Sequence, residues 1–309
     1  MTRKKSMFYT VAAIALTAIL FITYNAASTY TLNNKMDVIQ TRIESVNFFI
    51  KDVEKDLSKG FYIASFRTML SLNQYIATNG TYIDNLSQRF TESFLNGTIN
   101  NQTMNLMTGS TFTDWANKIA IEADKTDIKF NFTVNEVKIS QSEPWYVDIG
   151  LNISLDIRDK RNTSYWIRDR YLVNKMTILG LEDPLYVVGT SGRVSNVILR
   201  TTFSPLVFYG NATNLVLHAN SSYYLANNAS PNYLMRFEGN LNSSPVGVES
   251  LVNVDKLQGQ GLPALDRSVV DYIYFGTVAT TNFRINNTPE WFKIDQEHLD
   301  FYGVTNITT

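Results

Sequence analysis

The chain has 309 residues, 44% hydrophobic and 13% aromatic, enough apolar material for a packed core. Its 27 Lys and Arg against 28 Asp and Glu leave no basic footprint for nucleic acid, and charged residues make up only 18% of the chain. There is no cysteine, which excludes disulfides, thiolate metal sites and cysteine nucleophiles. An extracytoplasmic chain of this size without disulfides fits an archaeal or bacterial envelope better than a eukaryotic one.

Arg3, Lys4 and Lys5 precede an uncharged run from Met7 to Tyr24. As a helix this run is about 27 Å long, enough to cross a hydrocarbon core. Cations before the span and none directly after it place the N-terminus in the cytoplasm and the residues beyond Tyr24 outside. A cleaved signal peptide has a shorter apolar region and a small-x-small exit, which Asn25-Ala26-Ala27-Ser28 matches poorly. The span is therefore read as a retained anchor.

Beyond it, Leu32, Met36, Ile39, Ile43, Val46, Ile50, Val53 and Leu57 alternate at spacings of four and three, a heptad seam with charged residues between. The seam packs either on the chain's own globular part or on a second copy or another envelope protein. No proline interrupts Met7 to Thr78, Gly60 is the expected kink, and Asn79-Gly80 ends the helix.

An apolar helix that continues as an amphipathic one resembles the N-terminal half of type IV pilin-like subunits, and Lys5-Ser6 before Met7 is similar to their basic-plus-small processing site. Ser6 stands where those precursors usually carry Gly or Ala, and Val11 where many carry Glu. Leu181–Tyr186, Val248–Asn253 and Val270–Phe275 resemble segments of uncharacterised archaeal surface proteins with an N-terminal anchor and a β-rich head. The resemblance implies a membrane-anchored structural subunit and brings no activity with it.

Sequons for N-glycosylation lie at Asn79, Asn85, Asn96, Asn101, Asn131, Asn152, Asn162, Asn211, Asn220, Asn228, Asn242, Asn286 and Asn306. These 13 exceed the roughly five that 31 Asn and 54 Ser and Thr give by chance, and all lie beyond residue 78. The pattern predicts a bare helix followed by a sugar-coated remainder.

Helices are expected at Leu86–Phe94 and Trp115–Ala123. Alternation of Phe130, Phe132 and Val134, followed by Val137 and Ile139, predicts a strand, and Val147 to Ile157 predicts the clearest one, with one face buried. Further strands are expected at Tyr165–Ile167, Tyr171–Leu179, Tyr186–Val188, Val194–Thr202, Asn214–Leu217, Val269–Phe275 and Trp291–Ile294. The fold class is α+β: a long transmembrane-plus-amphipathic helix, then a mainly antiparallel β head. In outline, residues 1–6 form a cytoplasmic tip, 7–24 the span, 25–78 the stalk and 79–125 a mixed segment. Residues 126–205 form a β-rich domain, and 206–309 a second β-rich part, of the same domain or its own.

No residue is assigned to catalysis, a cofactor or a metal. His298, within Asp295-Gln-Glu297-His298-Leu-Asp300, offers ligands but lacks the rest of a site, and His218 reads as a strand-edge residue. Asp148, Asp156, Glu182, Asp183, Glu238 and Asp271 are the carboxylates from which a surface hydrolase would draw a pair, with Glu182-Asp183-Pro184 reading as a turn. Asp156 to Arg161 reads as a solvated charged turn. Trp145-Tyr146, Tyr165-Trp166, Tyr223-Tyr224 and Tyr272 to Phe275 are core aromatics or, in a glycan- or solute-binding ectodomain, stacking platforms.

Overall fold

With no proline to interrupt it, the N-terminal quarter of the chain folds as one helix, α1 (Thr2–Asn79), ended by Gly80 at φ 68°. The computed structural model describes Thr2–Thr308, leaving aside the side chains of residues 2–11 and 31–34. By length and composition α1 is apolar enough to cross a membrane, and no residue of its apolar window is buried; a signal sequence passes the same test. The residues from Met7 to Val11 and the Ser6–Met7 junction lie outside the described side chains, as does the side chain of Leu32.

After α1 come α2 (Leu86–Asn96), the short pair β1 (Thr98–Ile99) and β2 (Gln102–Thr103), and α3 (Phe112–Lys125). Three long strands follow: β3 (Ile128–Glu143), β4 (Tyr146–Asp159) and β5 (Tyr165–Thr177), in the order β3-β4-β5. The short connections make this an antiparallel meander. The inward row of β4, from Val147 to Ile157, is fully buried, as its alternation predicts.

The rest consists of short pieces: α4 (Pro184–Gly189), α5 (Thr213–Ser221), β6 (Tyr224–Ala226), α6 (Tyr233–Phe237), β7 (Val248–Ser250), α7 (Val254–Gly259), α8 (Asp271–Tyr274), β8 (Asn282–Arg284), β9 (Lys293–Asp295) and α9 (Leu299–Tyr302). Strands β6 and β7 pair antiparallel, as do β8 and β9. The result is a mixed helix and antiparallel-sheet protein.

Several expected strands are helical instead. Tyr186–Val188 lies in α4, because Asp183 caps it by accepting from Leu185 N at 2.9 Å and Pro184 fills its first position. Asn214–Leu217 lies in α5, where Leu215, His218 and Ala219 share the buried face at helical spacing. Val269–Phe275 turns into α8 after a single bridge from Val270 to Leu251. Val194–Thr202 forms only isolated bridges, at Val197 and Arg200, and Trp291–Ile294 contributes only its last two residues to β9. Runs of four to eight apolar residues do not reveal their period, so capping and tertiary contacts decide. Tyr165–Ile167 and Tyr171–Leu179 join into the single strand β5, which ends at Thr177.

The chain divides into two compact units. The first comprises Met1–Asp56, Ile119–Phe132 and Leu155–Arg168. Here Arg42 Nε donates to Asp159 Oδ1 at 2.8 Å and its Nη2 to Asp127 O at 3.1 Å. Asp159 is buried rather than solvated and also accepts from Thr163 Oγ1 at 2.5 Å. Burial pushes its carboxyl up, but the Thr163 and Arg42 hydrogen bonds prevail and hold it below the usual range. Phe49 meets Phe130 edge-on, 6.4 Å between centroids.

The second unit comprises Leu57–Lys118, Thr133–Ser154 and Asp169–Thr309. One side of it is an aromatic ladder in which Phe61, Phe90 and Phe112 surround Phe94 at 5.2–6.1 Å, and Trp115 stacks on Phe112 at 5.1 Å. Gly60 does not break α1. A Cβ there would lie 2.6 Å from the Trp115 indole, so the glycine serves close packing. Gly60→Ala gains about 1 kcal/mol of helix propensity. The collision with a packed indole costs about 1–3 kcal/mol. A net fall in the urea midpoint is expected, whereas in a Trp115→Ala background Gly60→Ala raises the midpoint by the propensity gain.

Candidate functional sites on the helix, the surface and the buried charge cluster

The seam divides. Val46, Ile50, Val53 and Leu57 are 2–9% exposed, packed on the chain's own residues. Met36, Ile39 and Ile43 are 67%, 44% and 38% exposed. From Ala12 to Thr41 every described side chain is exposed, a length of roughly 45 Å at helical rise. A sequence seam reports only an apolar face; here its second half is covered and the described residues of its first half are open.

Twelve of the 13 sequon asparagines are exposed and Asn152 is half-buried. Of the 13 other Asn beyond residue 78, six are exposed. Exposure thus tracks the sequon and not asparagine as such, and a glycan needs an exposed acceptor. Asn85 caps α2 through Oδ1, accepting from Gln88 N at 3.0 Å, which leaves Nδ2 for a sugar.

Inside the second unit lies a charge cluster that no motif announces. Arg236 on α6 is fully buried; its Nη1 donates to Asp183 at 2.6 Å and to Asp271 at 3.0 Å, and its Nη2 donates to Asp271 Oδ1 at 3.2 Å and to Val248 O. Asp183 also accepts from Tyr224 Oη at 2.7 Å, and Asp271 from Ser250 N and Oγ at 2.9 and 2.7 Å. Burial pushes the Asp183 carboxyl up, and Asp271 beside it adds to this against the pull of Arg236. Burial works against the Arg236 charge, but its two carboxylates outweigh this and hold it well above its ordinary value.

The next residue of β7 points the other way, as strand alternation requires. Glu249 accepts from Asn227 Nδ2 at 2.9 Å and Tyr302 Oη at 2.7 Å, and lies 3.4 Å from His298 Nε2. His298 Nδ1 is 2.7 Å from Asp295, which also accepts from Ser268 Oγ at 2.7 Å; Tyr272 Oη is 3.2 Å from Nε2. Burial lowers the His298 pKa, but bonds to Asp295 and Glu249 more than compensate and raise it to about 10. His298 is therefore an imidazolium clamped between carboxylates. Among the described residues no group of three or more His, Asp or Glu is placed to hold a metal. His218 is buried on α5 rather than at a strand edge, with Nδ1 3.0 Å from Thr201 Oγ1, and burial lowers it to about 4.

Of the six candidate carboxylates, the structure brings together Asp183 and Asp271, both fully buried on one guanidinium. Glu238 instead accepts from Leu86 N at 2.9 Å, Asp156 pairs with Arg158 at 2.7 Å, Glu182 accepts from Ser195 Oγ at 2.8 Å, and Asp148 accepts from Ser142. Tyr224 and Tyr274 are core residues, and Trp145, Trp166, Tyr223, Tyr272 and Phe275 are half-buried. Tyr146 and Tyr165 are exposed. The available signal for the cluster is a lone arginine in the apolar run Tyr233-Leu-Met-Arg236-Phe237, since a buried arginine demands paired anions.

The three segments Leu181–Tyr186, Val248–Asn253 and Val270–Phe275 converge here, supplying Asp183, Ser250 and Asp271 around one arginine. The chain matches no protein-family model, no curated protein and no solved structure. The geometry must carry the functional reading alone.

Proposed function

We propose that this is a non-catalytic, membrane-anchored and N-glycosylated cell-surface protein, a stalk-type or pilin-like structural subunit whose copies associate through the open half of the α1 seam. Met7–Tyr24 serves as anchor, with the N-terminus cytoplasmic and the glycosylated remainder outside. The observation that carries this reading is the sequon-free helix whose described side chains from Ala12 to Thr41 are all exposed, with Met36, Ile39 and, just beyond, Ile43 exposed on its heptad face. Sustained apolar residues at coiled-coil spacing gain stability only when a partner helix covers them. Sequons that begin where the helix ends leave that face clear of sugar.

The absence of native cysteine makes the test clean. Single cysteines at Ile39 and Ile43 are expected to form disulfide-linked dimers in native membranes, and a cysteine at Gln40 is not. Uniform crosslinking along the helix, or none, contradicts association through this face. Ile39→Lys/Ile43→Lys is expected to abolish the dimers while leaving the urea midpoint near the parent's, a change of within about 0.5 kcal/mol in unfolding free energy. Val53→Lys, at a buried position, is expected to lower that midpoint sharply.

A further inference from the structure

Phe208 and Asn211 face each other across a two-residue turn. Phe208 N donates to Asn211 O at 3.1 Å and Asn211 N to Phe208 O at 2.9 Å. The central residues Tyr209 and Gly210 have φ of 48° and 77°. This is the hairpin turn with both central residues left-handed, and it sets the flanking side chains about 5.5 Å apart on one face. Glycine adopts that conformation freely, whereas a tyrosine held there is strained.

The turn also holds two large aromatic rings in water. Phe208 is 60% and Tyr209 94% exposed, with their ring centroids 4.3 Å apart. Asn211 is the acceptor of the sequon Asn211-Ala-Thr213. Its Oδ1 accepts from Thr213 N at 2.8 Å and from Thr213 Oγ1 at 2.5 Å. The carboxamide oxygen is thereby fixed, and Nδ2, the atom that carries an N-linked sugar, has no hydrogen-bond partner among the described residues.

We propose that the first sugar of a glycan on Asn211 lies flat against the Phe208 ring, so that the turn is a built seat for that sugar. A pyranose has one face lined by C–H groups; laid on an aromatic ring, that face and the ring both leave water. The occupant is fixed by the covalent link, because the acceptor nitrogen is on the residue directly opposite the ring. This inference rests on the glycosylation reading above.

The test is a double-mutant cycle on the glycoprotein purified from its native membrane. It combines Phe208→Ala with Asn211→Gln, with Thr213→Ala as a second way to empty the sequon, and glycopeptide mass reads occupancy at Asn211. Phe208→Ala is expected to lower Tm by about 2–4 °C when Asn211 carries its sugar and by under about 1 °C in either emptied background. Equal losses in all backgrounds overturn the seat. A bare Asn211 among other occupied sequons also overturns it and leaves the general glycosylation reading standing. A protein with no sugar at any sequon overturns both.

Discussion

Arg236→Met is expected to cost about 3–5 kcal/mol, the largest single effect at any position outside the aliphatic core. The substitution keeps the packing volume but strands two carboxylates, Asp183 and Asp271, whose side chains are wholly buried. It also removes the donor to Val248 O, so β7 loses its tie to α6. Arg236→Met/Asp271→Asn should lose less than Arg236→Met alone, because one fewer buried charge is left unpaired. Urea unfolding of the detergent-solubilised protein reads both values. An unchanged midpoint for Arg236→Met would contradict the cluster's role in holding α4, α6, β7 and α8 together.

Alkaline pH should destabilise the same unit through His298. Its pKa rises from 6.5 to about 10 in the folded chain, so the folded state keeps a proton that the unfolded state gives up. The stabilisation is complete below pH 6.5 and is lost as pH climbs through 10, at up to about 1.4 kcal/mol per pH unit. The groups facing the imidazolium are Asp295, Glu249 and the Tyr272 hydroxyl. Once the proton leaves, the two carboxylates are left buried without a cation between them. The urea midpoint should fall steadily from about pH 7 to 10 in the parent protein. In His298→Gln it should start lower and stay nearly flat, and a flat parent profile would rule the charged clamp out.

The long elements are legible because each repeats a period over many residues. The helix α1 and the strands β3 and β4 carry such repeats, and the structure forms them where the pattern places them. Beyond residue 180 the elements shrink to a few residues, and the decisive contacts join positions far apart in sequence. Asp183 and Arg236 are 53 residues apart, and Glu249 and Tyr302 are also 53 apart. No local period reports such a contact, which is why four apolar runs that read as strands are helices or single bridges. Asp183-Pro184 reads as a turn for a related reason. The same pair also begins a helix, and Pro184 and Leu185 are drawn into the core.

Within the candidate sites the sequence locates the sequons and the apolar face but not their environment. Heptad spacing is identical at Ile39 and Val53, yet one is 44% exposed and the other 2%. Tertiary packing makes that difference. The aromatic turn beside Asn211 is hidden for the opposite reason, since no local pattern marks Phe208 and Tyr209 as aromatics that stay exposed.

Anchoring and glycosylation are both read in a single experiment, the intact mass of the protein extracted from washed native membranes. A retained anchor and occupied sequons together give a mass well above 35.1 kDa, spread into glycoforms, that returns after chemical deglycosylation to a chain still carrying Met7–Tyr24. A single species at the bare chain mass, or a deglycosylated chain shortened to begin beyond Tyr24, would contradict the proposed function.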